Sequence, residues 1–197
     1  MPNLLTFDAA SHTYYLDGVE IPGVSDVLET SGLKPSYNGF HQAQLRGLHV
    51  HEACELLDLD DLEWSSVYPE WIGYVRAYEL FKQEFGFVPE LIEYQACHPV
   101  YRYAGTLDRR GTVEPDRQRA IILDLKTGTP EPWHRWQLAG YQLLGGEAWA
   151  QDRRVGVYLH DDGTYAVQSF DDKNDIRTFL AAVTITHAKR AMNGRHQ

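Results

Sequence analysis

The spacing of hydrophobic and polar positions in the first half of the chain predicts one β-hairpin followed by three helices. The hairpin is expected where β-prone residues flank Asp17-Gly18, a pair suited to a type I′ turn. Apolar residues then recur at helical spacing, with serine, proline and glycine as start and stop signals. The predicted elements are a hairpin over 12–21 and helices from Ser25 to just before Gly32, from about Phe40 to Leu57, and from Pro69 to Phe85.

Beyond Gly86 the apolar positions alternate, which is typical of β-strands, and helical spacing returns twice. The second and third strands are expected to pair as a hairpin through the loop Gly111–Gln118. The order of elements predicts an α/β (or α+β) fold in which helices flank a mixed central sheet. The predicted elements are strands over 89–97, 101–109, 119–126, 154–160 and 165–170, and helices from Trp133 to Ala150 and from about Asn174 to Met192.

Length and composition favour a single intracellular domain. A chain of 197 residues with 43% hydrophobic content can bury one sizeable core. We expect one domain over 1–197, with the hairpin and short helix in 1–38 and the main core in 40–197. The start MPNLLTFDAA lacks the features of a signal peptide, and no apolar run approaches the roughly 20 residues that span a bilayer. A cytoplasmic protein without membrane contact is expected.

Charge and cysteine content narrow the functional classes. The formal net charge of -10 argues against a protein that coats nucleic acid through a broad basic surface. It is compatible with an enzyme that places metal ions between its carboxylates and a few phosphates. Cys54 and Cys97 are far apart and form no CxxC motif, so this chain alone cannot supply the four thiolates of an iron–sulfur cluster. We expect free thiols and no cluster.

The stretch RAIILDLKTGTP, residues 119–130, places an acid and a lysine inside an apolar run. Side chains alternate faces along a strand, so Asp124 and Lys126 point the same way. If the preceding strand pairs with this one, Asp108 reaches the same place. Neighbouring carboxylates repel each other unless a hard cation such as Mg²⁺ lies between them. The alternatives are a simple ion pair on an edge strand and a turn residue at Asp108.

Two predicted helices carry further polar pairs. His51 and Glu55 are four positions apart and share one helix face, as do Gln137 and Tyr141 on the helix that follows the Asp124 strand. A helix beside the sheet can bring an imidazole to the carboxylates, and an amide with a phenol suits contacts to phosphate or bases. The alternatives are a solvated pair in the first case and a cap over the core in the second.

These residues occur in an order that resembles a known family, the PD-(D/E)XK nuclease superfamily and specifically its RecB-like exonuclease branch. The likeness runs from about residue 47 to 145. The leading hairpin segment is also similar to the entry region of small phage-type exonucleases and of the mitochondrial genome maintenance exonuclease. The four motifs are Gly47-x-x-x-His51-x-x-x-Glu55, Gly105-x-x-Asp108, Asp124-Leu-Lys126-Thr-Gly128 and Gln137-x-x-x-Tyr141.

The resemblance implies a restriction-endonuclease-like core and a role for each motif. Asp108 and Asp124 are expected to hold Mg²⁺ or Mn²⁺, with His51 and the Leu125 backbone carbonyl completing the site. Lys126 is expected to orient the attacking water or to stabilise developing charge. The remaining assignments are DNA positioning by Gln137 and Tyr141, and accessory roles for Glu55, Glu93 (an acidic ligand through water) and Arg109 (a phosphate contact).

The implied function is that of a metal-dependent deoxyribonuclease, most simply an exonuclease. It is expected to act on ends of single- or double-stranded DNA in recombination, repair or phage genome processing, in a bacterial or phage-infected cell. A recombination, single-strand-binding or helicase protein is a candidate partner. Two alternatives stay open within the same fold: a structure-specific endonuclease, and a module that binds DNA ends without cutting.

A different kind of metal enzyme is a weaker alternative. His49-x-His51-x-x-x-Glu55 matches part of the cupin signature, which supplies iron or manganese ligands. The surrounding periodicity is helical, however, and histidines two apart on a helix diverge by about 200°. The cupin glycines are also missing.

Overall fold

The computed structural model describes residues 4–36, 41–115 and 119–193, which fold into two β-sheets and a set of flanking helices. The strands are β1 Leu5–Asp8, β2 Thr13–Leu16, β3 Val19–Ile21, β4 Val88–His98, β5 Tyr103–Thr112, β6 Ile121–Lys126, β7 Arg153–Leu159 and β8 Tyr165–Ser169. The helices are α1 Val24–Ser31, α2 His41–Asp58, α3 Ile72–Phe85, α4 His134–Leu144 and α5 Asn174–Asn193, with short 3₁₀ turns at Trp64–Ser66 and Gly146–Trp149.

The larger sheet has five strands in the order β4-β5-β6-β7-β8. Only β6 and β7 run parallel in it, and the α4 segment makes the crossover that a parallel pair requires. Leu123 and Leu125 of β6 join a core with residues of α2 and α3, whereas Ile122 joins a core with residues of α1, α4 and α5. The predicted fold class, a mixed sheet flanked by helices, is confirmed.

The predicted hairpin of β5 and β6 is present, but its pairing is short. It runs from Gly111 opposite Ile121 to Arg109 opposite Leu123 and then stops. Gly111 and Thr112 therefore belong to the strand rather than to the loop expected there, and residues 116–118 of that loop lie outside the described residues. The next positions outward on the two strands are the aspartates that the sequence singles out.

The small N-terminal sheet contains the predicted hairpin and one strand more. Asp17 and Gly18 have positive φ of 54° and 76°, as a type I′ turn requires. The additional strand β1 pairs antiparallel with β2. Its four residues were too few for their alternation to stand out. A bridge from Gly23 to Ala104 attaches this part of the chain to β5.

Two helix boundaries differ from the prediction by more than one residue. Helix α3 begins at Ile72 rather than at Pro69. Helix α4 ends at Leu144, and a 3₁₀ turn follows it where one continuous helix to Ala150 was expected. Helical geometry stops at Gly146, whose φ is 57°, and the buried Trp149 ring packs against Gly145, where an added Cβ would lie 1.8 Å from a ring carbon. The expected start at Phe40 lies outside the described residues.

None of the described helices combines the length and the apolar character that crossing a bilayer would need.

The approach of Trp149 to Gly145 predicts a large loss of stability for Gly145→Ala. The new methyl group overlaps the ring, so the free energy of unfolding should fall by about 1–3 kcal/mol in urea titrations. The matched control is Gly47→Ala in α2, where an added Cβ meets no atom within 4 Å. That change should be neutral or stabilising by up to about 1 kcal/mol. Equal effects of the two substitutions would contradict the packing argument.

Candidate metal centre

The backbone of Leu125 on β6 binds two side chains of the candidate site. Its N–H donates to Asp108 Oδ2 at 2.7 Å, and its carbonyl lies 3.0 Å from His51 Nε2. Because the pairing of β5 with β6 has already ended, this N–H is available to a side chain instead of a strand. One residue from β5 and one from α2 are thereby attached to the same backbone unit.

The first group consists of His51, Glu93 and Asp108, whose ligand atoms all lie within 4.8 Å of one another. His51 Nδ1 is 3.6 Å from Asp108 Oδ2 and 3.9 Å from Glu93 Oε1. A carbonyl can only accept, so His51 Nε2 is the donor toward Leu125. In the neutral imidazole, Nδ1 then presents a lone pair to two carboxylates, and a cation between them relieves that repulsion.

The donor set fits a divalent metal ion. Carboxylate oxygens with an imidazole nitrogen are suitable ligands for Mg²⁺ or Mn²⁺. Neighbouring ligands on one octahedral Mg²⁺ lie about 3 Å apart, given metal–oxygen distances of about 2.1 Å. The separations of His51 Nδ1 from Asp108 and from Glu93 are somewhat longer than that. The side chains would therefore move closer together to bind an ion.

Glu93 is more central than its expected accessory role. The register of β4 with β5 puts it opposite Asp108, and its backbone adopts φ of 44°, which is rare for a residue other than glycine. Burial, reinforced by the charge of Asp108, raises the pKa of Glu93 to about 7, while His51 and Arg109 oppose the shift. The sequence carried little sign of this, because no local pattern marks a strand residue with positive φ.

The second group is a chain of contacts that begins at Asp124 and ends at Tyr141. Asp124 is 1% exposed and forms an ion pair with Lys126. The Lys126 ammonium also donates to Gln137 Oε1 at 3.0 Å, and the Gln137 amide donates to the Tyr141 hydroxyl at 3.0 Å. Within the described residues Asp124 Oδ1 has no hydrogen-bond partner. Burial raises the pKa of Asp124 to about 6, although Lys126 opposes the shift.

The structure thus divides the expected site residues into two groups, the three-donor group and the chain of contacts from Asp124 to Tyr141. Asp124 lies outside the three-donor group, and the Leu125 carbonyl contacts His51. Gln137 and Tyr141 are buried and support Lys126 from within the protein. Glu55 lines the cleft beside His51 but is not one of the three clustered donors.

Arg109 takes a different place from the phosphate contact that was expected. It is fully buried, with its guanidinium 2.5 Å from Asp58 Oδ2 and 2.8 Å from Glu93 Oε1. Asp58, itself inaccessible, also accepts a 2.6 Å bond from Lys82. A fully buried guanidinium does not reach phosphate in solvent, so Arg109 acts on the site from the interior, by holding Glu93.

The cupin alternative does not agree with the structure. His49 and His51 lie on α2, not on a strand. The His49 ring stacks on Trp71 with centroids 4.7 Å apart and lines a different cleft from His51. The two imidazoles therefore do not share a site.

Comparisons with known proteins add little. No protein-family model matches the chain, and no curated protein matches it either. Similar solved structures include SSO0001, with TM-score 0.39, 16% identity and coverage of 82% of this chain and 83% of that one. They also include an alkaline exonuclease, LHK-Exo, from Laribacter hongkongensis, with TM-score 0.40, 16% identity and coverage of 87% and 93%. The same enzyme in complex with dAMP gives TM-score 0.39, 16% identity, and 88% and 94%. A likeness at this level carries no conclusion about activity.

The raised pKa of Glu93 predicts how stability depends on pH in the metal-free protein. Between about pH 4.5 and pH 7 the folded state keeps a proton that the unfolded state has released, so the stabilisation is complete below this window and is lost as pH rises through it. Thermal melts in EDTA from pH 4 to pH 8 should show the decline. Glu93→Gln should flatten it, because the contribution of Asp124 in the same direction is opposed by that of His134, whose pKa burial lowers to about 3.

A control for this measurement is Glu90→Gln on the same strand. Glu90 pairs with Arg110 at the surface. The slope of the melting temperature against pH should match that of the wild-type protein in this variant. If Glu93→Gln also retained the full slope, the buried carboxyl would not be its source.

The buried position of Arg109 predicts that Arg109→Lys is strongly destabilising. Lysine cannot contact Asp58 and Glu93 in the same forked geometry, which leaves buried charge without a partner. We expect the free energy of unfolding to fall by about 3 kcal/mol or more. The control Arg190→Lys should lose less than about 1 kcal/mol, because Arg190 pairs with Glu20 at the surface. Comparable losses would argue against the role of burial.

Proposed function

We propose that the protein is a metal-dependent deoxyribonuclease of the PD-(D/E)XK type. The observation that carries the proposal is the three-donor group His51, Glu93 and Asp108 next to the ion pair of Asp124 and Lys126. Asp108 binds the backbone N–H of Leu125, the residue between Asp124 and Lys126. Motifs that are remote in sequence and ordered as in that family meet at Leu125. The mixed sheet flanked by helices agrees with the restriction-endonuclease-like core that the resemblance implies.

The metal-binding residues in this proposal are His51, Glu93, Asp108 and Asp124, with the Leu125 carbonyl as a further oxygen donor. Bound there, Mg²⁺ or Mn²⁺ would polarise the scissile phosphate and lower the pKa of a coordinated water. Asp108 is held in position by the Leu125 N–H and Glu93 by Arg109, so both carboxylates are oriented before an ion arrives.

Lys126 would lie next to the reacting phosphate and stabilise its negative charge. Its ammonium is fixed by Asp124 on one side and by the Gln137 amide oxygen on the other. A positioned cation next to the reacting phosphate stabilises the negative charge that develops in the transition state. Gln137 and Tyr141 act in this proposal mainly by aiming Lys126, in addition to the DNA contact that the resemblance implies.

The buried Asp124 favours catalysis over simple DNA-end binding. Keeping a carboxyl that is 1% exposed, with one oxygen unpaired among the described residues, destabilises the fold. A binding module has no use for that arrangement, whereas a metal enzyme does. An exonuclease that acts on DNA ends in recombination, repair or phage genome processing is the form that the resemblance favours, with a structure-specific endonuclease as the second candidate.

Substitution of the site residues tests the proposal. Asp108→Asn and Lys126→Ala should each reduce cleavage of labelled linear DNA by roughly a hundredfold or more, because the first weakens metal binding and the second removes the cation that stabilises the developing charge. Cleavage in wild-type protein should need Mg²⁺ or Mn²⁺ and stop with EDTA. The Glu90→Gln control should retain activity, and all variants should melt cooperatively. Near-normal turnover by Asp108→Asn would refute the assignment.

The form of the substrate separates the two candidate nucleases. An exonuclease should degrade linear single and double strands and leave closed circular DNA intact. Incubation of matched circular and linear molecules with Mg²⁺, followed by gel electrophoresis, measures this. Nicking or linearisation of the circle would favour the endonuclease.

A further inference from the structure

The three-donor group lies at the floor of a cleft of about 670 Å³ whose opposite wall is the small N-terminal sheet. Three rings form that wall: Phe7, His12 and Tyr14. The Phe7 ring centroid lies 5.1 Å from that of His12 and 4.7 Å from that of Tyr14. His12 is exposed and Phe7 half-buried, whereas Tyr14 is buried and bonds Thr106. Two ring surfaces are therefore accessible beside the candidate metal.

The same cleft is strongly acidic. No lysine or arginine is among its lining residues within the described part of the chain. One divalent ion on the floor would compensate two of its five carboxylates and leave the other three. A chain of phosphates is repelled from such a cleft, while an uncharged nucleobase is not. The lining acids are Asp26, Glu52, Glu55, Glu93 and Asp108.

A second cleft, of about 500 Å³, has the opposite character and also includes His51 in its wall. Its charged lining residues are Lys34, Arg46 and Lys126, with a single acid, Glu131. Lys34 also pairs with Glu29 and Lys126 with Asp124, which do not line the cleft. Arg46 forms no ion pair with any residue that the structure describes and lies over the Tyr74 ring at 5.5 Å. Charge therefore changes sign from one cleft to the other across the candidate metal centre.

The difference in charge between the two clefts determines where the phosphates and the bases of a nucleic acid strand bind most stably. We propose that the phosphates of the strand lie in the basic cleft, and that the acidic cleft receives one unpaired terminal nucleoside beyond the scissile bond. Its base lies against Phe7 and His12, and its end is a free hydroxyl. A terminal phosphate would add charge among uncompensated carboxylates, so the site discriminates against phosphorylated ends. This inference rests on the proposed function.

The arrangement also explains why the aromatic wall is needed. A cleft that repels phosphate can attract a nucleotide only through its base and sugar, and aromatic rings stack with any base. The volume is within the range of roughly 300–1,000 Å³ of pockets that hold small molecules. It has room for one nucleoside beside the metal but does not favour a continuing strand.

Binding of single strands with a fluorescent end tests the inference. The probes are 12-nucleotide DNA strands with 2-aminopurine at the 5′ or the 3′ terminus, each with a hydroxyl or a phosphate at that end. Ca²⁺ replaces Mg²⁺ so that binding is measured without cleavage. The hydroxyl-ended base at one terminus should be quenched on binding, and a phosphate there should weaken the affinity about tenfold or more.

Substitutions assign the effect to the two features of the cleft. Phe7→Leu and His12→Asn should each weaken end-dependent binding roughly fivefold or more. Phe85→Leu, a half-exposed ring on α3 outside both clefts, is the matched control. Glu52→Gln should reduce the discrimination against the terminal phosphate and leave the quenching of the hydroxyl-ended base unchanged. Melting curves confirm that each variant is folded.

The outcomes separate this inference from the proposed function. Equal affinity for hydroxyl and phosphate ends, absence of quenching, or no binding of the strands overturns the inference. Mg²⁺-dependent cleavage of the same strands is scored separately. Cleavage without end discrimination leaves the nuclease standing and removes the terminal nucleoside site. Selective, quenched binding without cleavage supports the terminal nucleoside site and refutes the proposed nuclease activity.

Discussion

The candidate site depends on the backbone of Leu125, whose N–H and carbonyl lie beyond the last paired residues of β5 and β6. The N–H binds a carboxylate from the neighbouring strand and the carbonyl binds an imidazole from α2. Neither bond can form while β5 and β6 remain paired, so the early end of their pairing at Arg109 and Leu123 creates the site. On either side of this peptide, carboxylates meet a histidine and a lysine. That is the local condition for holding a cation against a phosphate.

Behind the site, a buried ionic network replaces what would otherwise be apolar core. Arg109 lies between Asp58 and Glu93, and Asp58 also accepts a hydrogen bond from Tyr78 at 2.8 Å. Hydrophobic packing is not directional, whereas a forked guanidinium fixes the orientation of each carboxylate that it binds. The network therefore explains how Glu93 is kept in a strained backbone conformation beside a second acid.

Local chemistry was enough to predict most elements, because turn residues and periodicity act over a few positions. Long-range contacts decided the rest. Arg109 looked like a surface residue in a TLDRR segment, and its burial depends on Asp58, which lies 51 positions earlier. The position of Glu93 depends on its positive φ, which the neighbouring sequence does not predict. Helix α4 ends before Gly146, which has a positive φ, and the Trp149 ring packs against the preceding glycine. The motif residues could be identified in the sequence, but their division into two groups near Leu125 could not.

The way the N-terminal sheet is attached has an evolutionary consequence. It meets β5 through the bridge from Gly23 to Ala104, the hydroxyl bond of Tyr14 to Thr106 and a small apolar cluster, while the acids of the floor, Glu93 and Asp108, lie on β4 and β5. In the proposed nuclease, substitutions at the outward positions of β1 and β2 would therefore change which strand ends bind without replacing any residue proposed to hold the metal. Substrate preference and hydrolysis could then evolve separately.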